Sequence, residues 1–217
     1  MEVGIVPVVR ASSPEEARLA ADAVAAGGIP IVEITMTVPG AVEVIGELVR
    51  HTRDVLIGAG TVLDAETARR CLDAGAEFLV TPGLDLPTIE FAVRSNKLIM
   101  AGALTPTEVI TAWKAGADFV KIFPCAQVGG AKYIKALKGP LPDIPLVPTG
   151  GVNLETAADL LRAGAAALGV GGELVVKEAL QSRQPEVIRD LARKYVEIVK
   201  RTRQEMTKTK APTTARS

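Results

Sequence analysis

Metal and disulfide chemistry have almost no material in this chain. Across 217 residues there is one histidine, His51, and two cysteines, Cys71 and Cys125. The cysteines form no Cys-x-x-Cys pair, and one histidine cannot complete a zinc ligand set. Two isolated thiols suit a reducing cytosol better than a disulfide scaffold. Net charge is missing too, since 25 Lys and Arg balance 25 Asp and Glu. That balance favours neither nucleic acid nor an anionic membrane as partner, while leaving room for a local site that grips a small anion. The opening "MEVGIVPVVR" has an early acidic residue and only a short apolar run. It reads neither as a secretory leader nor as a membrane span. The expectation is a cytoplasmic protein whose partner is a small molecule.

What the chain does have is a large apolar fraction, 48%, enough for one sizeable core. Short β-rich runs alternate with amphipathic helical runs. Strands are expected at 4–10, 29–35, 55–61, 78–83, 98–104, 119–124, 146–151 and 167–172. Most are nearly all apolar, as parallel strands covered on both faces must be. Helix starts follow in "SSPEEA" (Ser13 cap, Pro14), "LTPTEV" (Thr105, Pro106) and "VNLETA" (Asn153 cap). Ala-Gly ends the helices at Gly27, Gly75, Gly116 and Gly164, each expected in the left-handed conformation. These glycines precede every second strand, so the unit is (βα)₂ repeated. The pattern predicts an α/β fold, a single (β/α)₈ TIM barrel over 1–206, with a polar, mobile tail over 207–217. The competing open doubly wound sheet lacks its glycine-rich dinucleotide loop here.

In such a barrel the chemistry sits at the C-terminal ends of the strands. The candidate residues there are Arg10; Glu33, Thr35 and Thr37; Gly58, Gly60 and Thr61; Thr81 and Pro82; Lys121; Thr149, Gly150 and Gly151; and Gly171 and Gly172. Glu33 and Lys121 stand out, because apolar residues flank each within its strand. If those flanks face the helices, period two turns both charges into the barrel. Buried charges are costly unless paired or functional. One reading is a structural ion pair; the other is a Schiff-base lysine with an acid/base carboxylate beside it. The glycine pairs "PTGG" and "GVGG" lie where such barrels commonly hold phosphate, and "ELVVKEALQS" offers a short helix after Gly172. His51 reads as a solvated last-turn residue, Cys125 as a small packing residue, and Trp113 as helix-face packing against the barrel or a subunit neighbour.

"IVEITMT", "IGAGTVL", "VTPGL", "VKIFPC", "VPTGGV" and "GVGGELV" together resemble the class I 2-keto-3-deoxy-6-phosphogluconate (KDPG) aldolases and their relatives acting on 4-hydroxy-2-oxoglutarate (KHG). The resemblance spans roughly 3–200. It implies a lyase of the Entner–Doudoroff type, usually a homotrimer, needing neither cofactor nor metal. It implies Lys121 as the imine-forming nucleophile and Glu33 as general acid/base. Thr61 and Pro82 would line the pyruvate end; Thr149, Gly150, Gly151, Gly171 and Gly172 would hold the distal phosphate. Three positions depart from the pattern. Thr37 stands where many relatives carry a carboxylate-gripping arginine, and Arg10 is expected to supply that guanidinium from the neighbouring strand. Gly172 replaces a common serine, removing a hydrogen bond worth roughly 1.5–3 kcal/mol to a charged acceptor. Ala101 replaces a proline, which bears on backbone stiffness. The alternatives are a preference for 4-hydroxy-2-oxoglutarate and, from another class, a non-catalytic barrel for binding or assembly.

Overall fold

The computed structural model describes residues 3–52 and 54–210. Eight parallel strands are present among them: β1 (Ile5–Val9), β2 (Ile31–Thr35), β3 (Leu56–Gly60), β4 (Phe78–Val80), β5 (Leu98–Ala103), β6 (Phe119–Ile122), β7 (Leu146–Pro148) and β8 (Leu168–Val170). They pair in the order β7-β6-β5-β4-β3-β2-β1-β8. A single bridge between Thr149 and Gly169 joins the two ends. The result is the (β/α)₈ barrel expected from the alternation. The helices are α1 (Pro14–Ala26), α2 (Ala41–His51), α3 (Ala65–Asp73), α4 (Leu86–Arg94), α5 (Pro106–Lys114), α6 (Ala131–Lys138), α7 (Ala157–Arg162), α8 (Lys177–Gln181) and α9 (Pro185–Lys210).

Local signals explain most helix starts. Ser13 accepts from the Glu16 amide, and Thr105 with Glu108 forms a reciprocal capping box. Four expectations need correcting. Asn153 accepts from the Glu155 and Thr156 amides at 3.0 and 2.9 Å, so it caps a turn, and α7 proper begins at Ala157. Gly75, Gly116 and Gly164 are left-handed as expected, but Gly27 is right-handed (φ −82°) and Gly28 takes the positive φ. The short helix after Gly172 is real but starts only at Lys177. Composition placed the tail from residue 207; α9 remains helical through Lys210, and 211–217 lie outside the described residues.

Helix α9 packs on α1 and α7 and carries the fully buried Tyr195. This contact explains Gly27. A Cβ there would overlap that of Ala192 and lie 2.7 Å from the Arg189 carbonyl oxygen. Gly27→Ala is expected to cost about 1–3 kcal/mol by overpacking, measured by urea denaturation. Ala192→Gly in the same chain should recover part of the loss; no recovery would mean the helix contact is not the cause.

Candidate active site

Strands β2 and β6 are buried along both faces, so their odd charges have nowhere to go but inward. Glu33 is 1% exposed and Lys121 is 2% exposed. Their flanks Val32, Ile34, Val120 and Ile122 fill the layer under the helices. Lys121 Nζ lies 3.8 Å from Glu33 Oε1, too far for a hydrogen bond, and Oε1 has no hydrogen-bond partner in the protein. Burial pushes the Glu33 carboxyl above the ordinary carboxylate range. The Lys121 ammonium and the Arg10 guanidinium act in the opposite sense without cancelling it. The same ammonium sits 5.5 Å from the centre of the Phe123 ring, which period two places on the same face of the chain.

The other predicted residues distribute around this pair. Arg10 follows β1 and is exposed. Its Nη1 lies 3.4 Å from where a side chain on Gly171 would project. It therefore spans the ends of β1 and β8, and its charge reaches Glu33. Thr37 is exposed on the loop after β2. Its hydroxyl is 2.6 Å from that of Thr35, which in turn donates to the Val9 carbonyl at 3.0 Å, so Thr37 belongs to the rim beside Arg10. Thr61, half-buried after β3, holds φ +56°. Such a backbone in a β-branched residue costs of order 1–3 kcal/mol and tends to mark functional positions.

Gly150 and Gly151 are both left-handed, at φ +88° and +77°. The Cys125 and Ala126 amides donate to the Thr149 and Gly150 carbonyls at 2.9 and 3.1 Å, binding the loops after β6 and β7 together. A cleft of about 400 Å³ opens beside them, lined by Cys125, Gly130, Gly150, Gly151, Glu155 and Asp159 among others. Lys121 and Glu33 lie outside it, toward the barrel axis. The Thr149 hydroxyl leans over Gly169, and Gly172 is exposed with nothing within 4 Å of its missing side chain. Cys125 is buried and its thiol is pushed up to about 11, as suits a packing residue. His51 is exposed at the last turn of α2. Trp113 is 40% exposed. Among the described residues, no group of three or more His, Cys, Asp or Glu is placed to hold a metal ion.

Sequence reasoning named Thr81 and Pro82 but missed Gly102 beside them, and it gave no role to Gly58 and Gly60, which make room for their neighbours. Pro82 packs its backbone on Gly102, and the Thr81 hydroxyl accepts from the Gly102 amide at 2.9 Å while donating to the Gly83 carbonyl at 2.7 Å. Gly58 lies under the Phe78 ring, and Gly60 under Glu33 itself. The available signal was a glycine inside a strand, which marks close approach by a neighbour.

The family model of the KDPG and KHG aldolases matches residues 1–191 of this chain. A 2-dehydro-3-deoxy-phosphogluconate aldolase of Haemophilus influenzae is 35% identical over 199 residues, 92% of this chain and 94% of that protein. Among solved structures, a native KDPGal structure superposes with TM-score 0.86 at 32% identity, over 94% of this chain and 98% of that one. A KDPG aldolase from Legionella pneumophila, captured with pyruvate as a covalent carbinolamine, gives TM-score 0.82 at 30% identity, over 88% and 92%. The eight-stranded barrel, the paired charges at its centre and this likeness along nearly the whole chain agree: the protein belongs to the KDPG and KHG aldolase family.

Proposed function

We propose that this chain is a class I aldolase that cleaves 2-keto-3-deoxy-6-phosphogluconate to pyruvate and glyceraldehyde 3-phosphate. The observation that carries the reading is the enclosed Lys121–Glu33 pair, 3.8 Å apart inside the barrel. A lysine amine adds to the C2 carbonyl, and loss of water leaves a protonated imine. Glu33, whose carboxyl is held above the usual range, supplies and removes protons at an oxygen only a few ångströms from that nitrogen. Removal of the C4 hydroxyl proton breaks the C3–C4 bond. Its electrons flow into the imine, giving an enamine and the aldehyde. Protonation at C3 and hydrolysis then release pyruvate and restore the amine. Arg10 and the exposed Thr37 hydroxyl form the rim that would receive the substrate carboxylate. Thr61 and Pro82 would wall the pyruvate end, and Thr149, Gly150, Gly151, Gly171 and Gly172 would receive the distal phosphate through backbone amides. We further propose a cytoplasmic homotrimer in the Entner–Doudoroff route; no helix among the described residues is long and apolar enough to cross a membrane.

One observation favours a second reading, cleavage of 4-hydroxy-2-oxoglutarate to pyruvate and glyoxylate. The charged side chains lining the cleft beside Gly150 and Gly151 are Glu155 and Asp159, both acidic, and Gly172 carries no hydroxyl. A shorter substrate need not reach that region. Pyruvate release from the two substrates, compared as kcat/KM, decides between them. A higher value for the phosphorylated acid supports the first reading, and the reverse result replaces it with the second.

Arg10→Leu is expected to raise KM by roughly 10- to 100-fold, because hydrogen bonds to a charged partner contribute about 1.5–3 kcal/mol. It should also move the acid limb of the pH profile upward, since Arg10 opposes the rise of the Glu33 carboxyl. An unchanged KM would remove Arg10 from carboxylate binding.

A further inference from the structure

Strand β3 presents two glycines to the barrel interior, and neighbouring strands use them from opposite sides. The register pairs Glu33 with Gly58 and Thr35 with Gly60. A side chain on Gly58 would run into the Phe78 ring from β4, whereas a Cβ on Gly60 would fall inside the van der Waals envelope of Glu33 Oε1, Cδ and Cγ. The Glu33 side chain is thus folded down over the bare Cα of Gly60. That position aims Oε1 at Lys121 Nζ, 3.8 Å away, with no hydrogen bond from the protein holding it there. Apart from the charge of Lys121, what fixes Oε1 there is the room left over Gly60.

We propose that Gly60 is a positioning residue for the aldol reaction: its missing side chain is the seat that places the Glu33 carboxylate against Lys121. The proposal rests on the class I reading and adds the device that sets its acid/base geometry. The obstructing atoms, Cγ included, all belong to one flexible side chain and none to backbone. An added methyl would therefore be relieved by turning the whole Glu33 side chain about its Cα–Cβ bond, which carries the carboxylate away, and the barrel would survive. Any substituent at Gly60 moves the proton donor, and a displacement on the ångström scale is enough to lose about 10²-fold in rate. Gly58→Ala is the matched control on the same strand, because its added methyl meets a ring that has no part in proton transfer.

The test is a double-mutant cycle between Gly60→Ala and Glu33→Asp, read by kcat, by pyruvate adduct trapped with borohydride, and by the pH profile. Gly60→Ala is expected to keep its circular dichroism and form the adduct, lose about 10²-fold in kcat with a smaller change in KM, and shift the acid limb. Aspartate is one methylene shorter, so its carboxylate is already withdrawn from the place that the seat gives to glutamate's. The double variant should therefore be little worse than Glu33→Asp alone, whereas Gly58→Ala should leave the acid limb in place. Losses that multiply across the cycle, or an acid limb unmoved by Gly60→Ala, would overturn the proposal while leaving the aldolase reading intact. Failure of the unsubstituted protein to trap pyruvate would overturn that reading and the proposal with it.

Discussion

Lys121→Met is expected to abolish the borohydride-trapped pyruvate adduct seen by intact-mass spectrometry in the unsubstituted protein, and to reduce turnover to the uncatalysed background. Methionine keeps most of the apolar stem that packs in the barrel and deletes only the ammonium. A chain without the amine has no electron sink for the carbanion that C–C cleavage leaves behind. The same substitution carries a pH signature in stability. Breaking a buried ion pair costs roughly 3–5 kcal/mol when the survivor stays charged. Glu33 escapes that cost by protonation, because removing Lys121 removes the largest influence opposing the rise of its carboxyl. A group whose folded-state value is raised contributes its stability below the unfolded value and loses it as pH climbs through the folded value. The variant should therefore lie closest to the parent in acid, fall behind as pH rises above the ordinary glutamate value toward the elevated Glu33 value, and level off beyond it. Persistence of the adduct in Lys121→Met would place the imine on another lysine and end the mechanism as drawn.

Glu33→Gln should separate imine formation from turnover. The amide has nearly the same volume as the acid and still fits over Gly60, but it cannot exchange a proton. Turnover is expected to drop by roughly 10²–10⁴-fold, the usual worth of a positioned acid/base. The pyruvate adduct should still accumulate, more slowly, because the amine remains. In the unsubstituted protein the acid limb of kcat should lie above 4.5, the ordinary glutamate value, since burial raises this carboxyl. The limb should vanish in Glu33→Gln. Unimpaired cleavage by the glutamine variant would leave the lysine acting alone and the carboxylate as mere counter-charge.

Comparing the strands with their sequence shows where local information suffices. "IPIVEIT" and "FVKIFP" each place one charge in an apolar run, and β2 and β6 appear at Ile31–Thr35 and Phe119–Ile122 with both charges inside. Period two is a property of the extended backbone itself, so no distant contact was needed to orient them. The caps at Ser13 and Thr105 were legible for the same reason, as each involves partners within four residues. Gly27 and Gly28 show the limit. Either glycine could end α1, and the deciding contact comes from Ala192 on α9, far along the chain.

The distances were not legible at all. Glu33 and Lys121 are separated by most of four βα units, and only closure of the sheet brings them to 3.8 Å. Arg10 reaches Gly171 because β1 pairs with β8, a contact between opposite ends of the barrel. In the sequence Gly60 is one more glycine at a strand end, and only the fold lays the Glu33 side chain across it. By itself the sequence determined the alternation of elements, the inward direction of the two charges and the family pattern, all of which follow from local backbone geometry and side-chain type. Only the tertiary structure decided which atoms meet and which void the carboxylate fills, because packing and electrostatic interactions depend on separations that chain closure alone sets.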